Sequence, residues 1–165
     1  MIHVPPSPPA IVFRVAREAD RGFVRSLSRA LFSRFGDYET ILDEYFDLRE
    51  NRTVIAESDG EPIGFFMLSD DPHARFVLHL LAIAVAPGHQ SRGLGRRLLR
   101  HALHLAEESL RPGEIRWVCL DVAEDNDRAR SLFSSEGFER ADGETGVYPG
   151  GQVSWAMTKK VQREG

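Results

Sequence analysis

Cysteine is scarce in this 165-residue sequence, and the single Cys119 leaves no partner for an intrachain disulfide. A lone thiol is typical of a reducing compartment, so we expect a cytoplasmic protein. Long apolar runs are missing too, because no stretch approaches the roughly 18 residues of a membrane span. Residues 1–9 also lack the charged and apolar regions of a signal peptide. We therefore expect neither secretion nor a membrane partner.

An excess of basic residues is absent as well. The formal net charge is −4, which argues against nucleic acid as a partner. The sequence has no internal repeat, and 42% hydrophobic residues over this length suit one domain that buries roughly two thirds of its unfolded surface. We predict a single domain over residues 11–160, with a flexible N-terminal tail at 1–10 and a C-terminal tail at 161–165. A homodimer is compatible with these features.

Hydrophobic periodicity predicts alternating strands and helices along the chain. Asp59 and Gly60 give the strongest signal for a hairpin turn, and Asp20 is expected to cap the first helix. A glycine-rich connection is expected before the last strand. The predicted strands are 11–15, 53–57, 62–68, 76–85, 115–122 and 153–158, and the predicted helices follow Asp20, span 37–48, begin near Leu94 and span 126–135.

The segment 85–99 is the most informative, because it reads as an apolar strand, a glycine-bearing turn and a helix start. Gly93 and Gly95 remove side chains where backbone must approach a ligand, and the first N–H groups of the helix converge on one point. Basic residues lie near this positive helix end and acidic ones near the other, against the preference of the helix dipole, which suggests a phosphate at the turn. The alternative is a pair of packing glycines beside a solvated arginine face. The residues concerned are His89, Arg92, Arg96 and Arg97 at the start, and Glu107 and Glu108 at the end.

Two common phosphate motifs do not fit this turn. A dinucleotide fingerprint needs a third glycine where the chain has Leu98, and a Walker loop needs Gly-Lys-Ser/Thr, which does not occur. What remains is Gln90-x-x-Gly93-x-Gly95. A second block of residues follows further along the chain and consists of Leu120-Asp121-Val122, Asn126, Ala129, Leu132-Phe133 and Gly137-Phe138.

The two blocks together resemble the GCN5-related N-acetyltransferases (GNAT family) over about residues 53–160. This resemblance implies an α/β fold of the acyl-CoA N-acyltransferase type, with a central mixed, mostly antiparallel sheet flanked by helices. It also implies an N-acetyltransferase that uses acetyl-CoA as cosubstrate, without a metal, and transfers the acetyl group to a primary amine by direct attack. An alternative is a non-catalytic acyl-CoA-binding or sensing module.

The resemblance also assigns the cofactor-binding residues. The amides of the turn would hold the pyrophosphate, the strand at 83–85 would bind pantetheine, and the Val85 N–H would polarise the thioester carbonyl. Asn126 matches an asparagine that contacts the pantetheine arm, and a helix N-cap is its alternative role. The set is Ile83, Ala84, Val85, Gln90, Ser91, Arg92, Gly93, Leu94, Gly95, Arg96 and Asn126.

Two residues are candidates for the catalytic base. Asp121 is a carboxylate inside an apolar strand, and related sequences with Leu-Glu-Val at this point can use the carboxylate as base. A buried carboxylate has a raised pKa and is a stronger base, whereas a strand-end or capping role is the alternative. His79, inside another apolar strand, is the second candidate, with a satisfied core or edge histidine as its alternative.

The chain departs from the family at Phe133, where the tyrosine often assigned as general acid is absent. Coenzyme A titrates near pKa ~8.5, so it can leave as thiolate, with water or Tyr148 protonating it later. His101 and His104 lie three residues apart without a third ligand nearby, so no metal site is expected.

The acceptor is a small-molecule or peptide amine that the sequence does not identify further. Aromatic and acidic residues lie together in the region where the family usually forms the acceptor wall, which would suit a cationic amine. Core aromatics beside a solvated acidic face are the alternative. The aromatic residues are Phe32, Phe35, Tyr38, Tyr45 and Phe46, and the acidic ones are Asp37, Glu39, Asp43, Glu44, Asp47 and Glu50.

Overall fold

The computed structural model describes residues 1–165 apart from the side chain of Glu144. Seven strands form one sheet in the order β1-β2-β3-β4-β5-β7-β6, and β4–β5 is its parallel pair among antiparallel neighbours. This is the predicted mixed, mostly antiparallel sheet. The strands are β1 Ile11–Val15, β2 Asn51–Ser58, β3 Glu61–Asp70, β4 Val77–Val85, β5 Ile115–Ala123, β6 Glu139–Val147 and β7 Val153–Gln162, and the helices are α1 Arg21–Phe32, α2 Tyr38–Phe46, α3 Leu94–Glu108 and α4 Asp127–Ser135.

The helices cover the sheet on both faces and create two apolar cores. Leu98, Leu99 and Phe133 from α3 and α4 pack in the larger core, against residues from most strands. Val24 and Leu42 from α1 and α2 pack in the smaller core. The predicted helices and the predicted hairpin turn are confirmed, and the turn residues Asp59 and Gly60 have φ of 51° and 79°.

A bulge in β4 separates the two cores along that strand. Leu80 pairs with Leu68 and Ala82 pairs with Met67, so Leu81 is an extra residue between the two pairs. The side chains change faces there: Leu80 belongs to the larger core and Ala82 to the smaller one.

Strands β4 and β5 pair only at their amino ends, where Val77–His79 lies beside Trp117–Cys119. Beyond these residues β4 continues along β3 as far as Val85, and β5 continues along β7 as far as Ala123. The two strands therefore diverge, and a gap opens between their carboxyl ends.

Three sequence predictions need correction or adjustment. The expected glycine-rich connection contains β6, whose polar sequence with Gly143 and Gly146 gives no alternating apolar pattern. Asp20 does not cap α1 with its side chain, which instead accepts the Arg17 N–H at 2.6 Å and the Arg14 guanidinium at 2.7 Å. Strand β7 ends at Gln162, inside the stretch expected to be a tail, with Val161 buried.

Candidate active site

The turn before α3 presents unpaired backbone donors. A short 3₁₀ turn at Pro87–His89 follows β4, and Ser91 and Gly93 then adopt left-handed φ angles of 63° and 79°. The first intrahelical bond runs from the Arg97 N–H to the Gly93 carbonyl at 3.1 Å. The N–H groups of residues 93–96 therefore begin the helix without an intrahelical acceptor, at the positive end of its dipole. This arrangement suits an anion.

Side chains attach the turn to the elements around it. Gln90 Nε2 donates to the Val85 carbonyl at 3.1 Å, and Arg128 of α4 donates to Ser91 Oγ at 3.0 Å. Arg96 bonds Ser135 Oγ at 2.8 Å and forms an ion pair with Glu136. The contact of Arg128 with the turn was not predicted from the sequence, although its position two residues after Asn126 could have indicated it.

The backbone of β4 differs between adjacent residues. The Ala86 N–H donates to the Ile63 carbonyl at 2.9 Å while Val85 faces Gly64, so the N–H and C=O of Val85 point away from β3 into the gap. Alternation gives Ile83 the same orientation. Ala84 faces Phe65, and its N–H and C=O point to β3. The prediction of pantetheine contacts along 83–85 therefore needs correction at Ala84, whose backbone groups are used within the sheet.

A cavity of about 520 Å³ fills the gap between β4 and β5. It brings together the predicted base candidates Asp121 and His79 with Asn126, Phe133 and Tyr148. One part lies against β4 and α4, and the other against α1, α2 and the end of β6, with Asp121 of β5 close to Tyr38 and Tyr148 of the second part. The lining is Phe32, Phe35, Tyr38, Ile41, Leu42, Tyr45, His79, Leu80, Leu81, Ala82, Ile83, Cys119, Leu120, Asp121, Val122, Ala123, Asn126, Ala129, Phe133, Tyr148 and Ala156.

Asp121 is exposed, so the expectation of a buried carboxylate is wrong. Leu120 and Val122 on either side of it point into the larger core. The two-residue period of the strand turns Asp121 to the opposite face, where it reaches the cavity and solvent. A strand-end role does not apply, because β5 continues to Ala123.

Two tyrosines lie near Asp121 in the cavity. The pKa of Tyr38 and that of Tyr148 are both raised, first by burial and then by the negative charge of Asp121. The Tyr148 ring lies 4.8 Å from that of Phe35 and 6.1 Å from that of Tyr38, measured between ring centres. Both hydroxyls therefore stay protonated near neutral pH.

The segment around Tyr148 is held against the turn between α1 and α2. The Gly150 N–H donates to the Phe35 carbonyl at 2.9 Å, and Gln152 Nε2 donates to the Arg34 carbonyl at 2.8 Å. A Cβ at Gly150 would collide with that Arg34 oxygen, so the approach requires glycine. We call residues 33–38 together with 148–152 the roof of the cavity.

His79 lies at the other end of the cavity and has a partner. Its Nε2 is 2.8 Å from Asp71 Oδ2, and this hydrogen bond lowers the pKa of Asp71. In the parallel pairing His79 lies beside Cys119, whose pKa is raised by burial and then by Asp121 and Asp71. The Cys119 thiol therefore stays protonated at neutral pH.

Asn126 and Phe133 line the cavity from α4. Asn126 is the N-cap of that helix, with its side-chain oxygen accepting the Ala129 N–H at 3.2 Å. The capping alternative is therefore present, and it leaves the amide Nδ2 as the donor that Asn126 can offer a ligand. Phe133 is 5% exposed and packs against Phe138. Its phenyl ring carries no hydroxyl, so this position offers no proton donor.

Of the predicted aromatic and acidic wall, only aromatic residues line the cavity. Four of the five aromatic residues line the cavity, whereas Phe46 lies beneath the Arg21 guanidinium. Three of the acids form ion pairs with arginines of α1 on the outer side of the two helices, and Asp37 caps α2. The arginines of α1 and these acidic residues recur at helical spacing and form ion pairs with each other. The acidic residues therefore do not line the cavity, and that part of the prediction was wrong. The pairs are Arg21 with Asp43 and Asp47, Arg25 with Glu39 and Asp43, and Arg29 with Glu39.

The described residues contain no group of three or more side chains that could hold a metal ion. His101 instead stacks on Phe13 with ring centres 4.6 Å apart, and His104 pairs with Glu108 at 3.0 Å. No helix in the described part of the chain is long and apolar enough to cross a membrane.

Known proteins with the same architecture are numerous. The ribosomal-protein-S18-alanine N-acetyltransferase from Escherichia coli superposes with a TM-score of 0.77 at 20% identity, covering 94% of this chain and 97% of that chain. The spermidine N-acetyltransferase from Vibrio cholerae, in complex with CoA and spermine, superposes with a TM-score of 0.71 at 20% identity, covering 91% and 95%. These likenesses confirm the predicted fold.

Sequence comparison gives the family. The N-alpha-acetyltransferase RimI of Mycobacterium tuberculosis (strain ATCC 25618 / H37Rv) is 38% identical over 93 residues, which are 54% of this chain and 53% of that protein. The match therefore spans about half the length of this curated relative. The model of the acetyltransferase (GNAT) family matches residues 21–138, well over half of the chain. The predicted resemblance is confirmed, and this protein belongs to the GNAT acetyltransferase family.

Proposed function

We propose that this protein is an N-acetyltransferase that moves an acetyl group from acetyl-CoA to a primary amine by direct attack. The observation that carries the proposal is the divergence of β4 and β5, which leaves Ile83 and the exposed carboxylate of Asp121 at one cavity, beside the gap that the Val85 N–H faces. Family membership and the similarity to RimI support the same activity.

The residues fit acetyl-CoA as the donor. The unpaired N–H groups of residues 93–96 would hold the pyrophosphate, and Gly93 leaves open space where a side chain would begin. The N–H groups of Ile83 and Val85 face the gap and would bond the pantetheine arm and the thioester carbonyl. When bound, acetyl-CoA supplies an electrophilic thioester carbon, whose bond to sulfur breaks as the amine nitrogen bonds to it.

Asp121 is the proposed base. The amine arrives as an ammonium at neutral pH, and its nitrogen must lose a proton before it can attack. Asp121 lines the cavity and has one face in solvent, so it can accept this proton and pass it to water. His79 is the second candidate, although its Nε2 is already bonded to Asp71.

Cys119 is the thiol among the described residues of the cavity lining, and its protonation state argues against an acetyl-enzyme. Burial and the charges of Asp121 and Asp71 raise the pKa of its thiol, and a thiol attacks far more slowly than a thiolate. Direct transfer to the amine follows. Incubation with acetyl-CoA alone should leave the intact mass of the protein unchanged, whereas an acetylated form would support transfer through Cys119.

The leaving thiolate does not need a protein acid. Its thiol titrates near pKa ~8.5, well below the raised pKa of Tyr148, so proton transfer from Tyr148 would be unfavourable. Phe133 offers no proton. We therefore propose that coenzyme A departs as thiolate and takes its proton from water.

A screen of amine pools with acetyl-CoA, followed by free-thiol release, tests the proposal. We expect release that depends on the amine. Coenzyme A should also raise the melting temperature, because a ligand at one hundred times its Kd stabilises the native state by about 2.7 kcal/mol. A raised melting temperature without release by any pool would instead identify a non-catalytic acyl-CoA-binding module.

A further inference from the structure

The described side chains that line the cavity include a negative charge but no lysine or arginine. Asp121 is the one carboxylate among the described lining residues, and neither lysine nor arginine occurs among them. His79 is occupied by its hydrogen bond to Asp71. We call the part of the cavity formed by α1, α2, the roof and Asp121 the acceptor half. A ligand there meets one negative charge and no fixed positive charge.

Aromatic rings surround this carboxylate. Phe32, Phe35, Tyr38 and Tyr148 line the acceptor half, and the hydrogen bonds of the roof hold Phe35 and Tyr148 in place. The faces of such rings attract a cation, and their bodies accept an apolar group. The wall favours a ligand that combines both properties.

Charged side chains of the roof and of α2 are paired with opposite charges. The Arg34 guanidinium lies over the Phe35 ring at 4.1 Å and bonds both oxygens of Asp125 at 3.2 Å. Glu39 and Asp43 of α2 bind arginines of α1 on the outer side. The charge of Arg34 is therefore balanced by Asp125, and the charges of these acids are balanced by the arginines of α1.

From this charge content we infer that the acceptor is a primary amine on an apolar group that carries a single positive charge and no carboxylate beside the amine. The inference rests on the proposed function and narrows its substrate class. A carboxylate next to the amine would lie close to Asp121 without a compensating cation. A second ammonium would lose its hydration in the cavity without a second carboxylate to pair with, and a contact with an aromatic face would offset only part of that cost.

Matched acceptors test the inference. L-Phenylalaninamide and L-phenylalanine differ only in the amide and carboxylate groups, and butylamine and spermidine differ in the number of charges. We expect kcat/KM for free-thiol release, expressed per concentration of unprotonated amine, to be at least about tenfold higher for phenylalaninamide than for phenylalanine, and for butylamine than for spermidine. Equal values, or the reverse order, would overturn the inference while leaving the proposed function in place.

Two further measurements make two distinctions. One shows whether the acceptor is a peptide or a small amine, and the other separates failure of the charge preference from failure of the proposed function. A tetrapeptide amide that begins with phenylalanine is compared with phenethylamine, and the better acceptor shows whether a peptide or a small amine is favoured. Calorimetric titration of phenylalaninamide and phenylalanine is carried out on the protein loaded with coenzyme A. If no amine releases thiol, the proposed function fails. The binding ratio then still decides the charge preference, and tighter or equal binding of phenylalanine contradicts it.

A charge introduced beside Asp121 gives an independent check. Ala156 faces Asp121 on β7 and lines the cavity, so Ala156→Lys should reduce the preference for phenylalaninamide over phenylalanine by about tenfold. Thr158→Lys is the matched control, because Thr158 is the next residue on the same face and is not part of the lining. An unchanged preference in a folded Ala156→Lys variant that still binds coenzyme A would contradict the inference.

Discussion

The donor half and the acceptor half of the proposed active site are built from different kinds of groups. The donor half uses backbone N–H groups from one continuous stretch, the end of β4 and the start of α3. The acceptor half uses side chains from α1, α2, β5 and the roof, which are far apart in the sequence. A site made of backbone N–H groups is retained when many of its side chains are substituted. A site made of side chains changes with each substitution. Substitutions should therefore separate binding of the donor from choice of the acceptor.

The largest effect is expected at the turn before α3. Gly93→Asp places a side chain and a negative charge at the proposed phosphate site, so calorimetry should detect no binding of acetyl-CoA. The fold should survive, because aspartate is favoured at a helix N-cap and tolerates left-handed backbone.

Gly60 supplies the matched control for this substitution. Gly60 and Gly93 share φ of +79°, and a Cβ at either position would have no atom within 4 Å. Gly60→Asp should therefore carry the same backbone strain and bind acetyl-CoA normally. Normal binding by Gly93→Asp would remove the turn from the donor site.

The second effect concerns the base. Asp121→Asn should lower kcat/KM by ~10²–10⁴, because an amide does not accept the amine proton. Affinity for coenzyme A should stay unchanged, since Asp121 belongs to the acceptor half. Glu124→Gln, a change to an exposed acid just after β5, is the control. Near-normal turnover in folded Asp121→Asn would transfer the role to His79 or water.

A smaller effect is expected at the roof. Gly150→Ala would bring a Cβ against the Arg34 carbonyl and displace Tyr148 from Phe35, so kcat/KM for the amine should fall about tenfold. The melting-temperature shift caused by coenzyme A should remain. Gly22→Ala serves as the control, since a Cβ there has no atom within 4 Å. An unchanged kcat/KM would mean that the roof does not position the acceptor.

The smallest effect is expected at Phe133. Phe133→Tyr adds a hydroxyl to the cavity at the position of the family tyrosine, yet turnover should change by less than about threefold if coenzyme A leaves as thiolate. Steady-state rates with a saturating amine measure this. A large gain would indicate that the native chain lacks an acid that the reaction needs.

The sequence predicted the geometry of the turn before α3 better than the lining of the cavity, for a physical reason. The glycines, Gln90 and the α3 start lie within a few residues of each other, so their spacing alone places the N–H groups. The bond from Arg128 to Ser91 connects residues 37 apart and depends on the docking of α4. Local spacing carries no information about such contacts.

The errors in the acceptor half have the same origin. The exposure of Asp121 depends on which part of the sheet α1 and α2 leave open, and an apolar strand pattern does not contain that information. From the sequence, the acidic residues of α2 were expected to form part of a binding wall. In the structure, several of them form ion pairs with Arg21, Arg25 and Arg29 of α1. Strand β6 was missed because its polar residues are stabilised by pairing with β7 rather than by an apolar face of their own.

The most direct test of the account is a stoichiometric assay of thiol and product with L-phenylalaninamide and acetyl-CoA. We predict amine-dependent release of one free thiol for each acetylated amine, with the reaction lost in Gly93→Asp and strongly reduced in Asp121→Asn. Binding of acetyl-CoA by the wild-type protein without amine-dependent thiol release, for this amine and for the amine pools, would contradict the account.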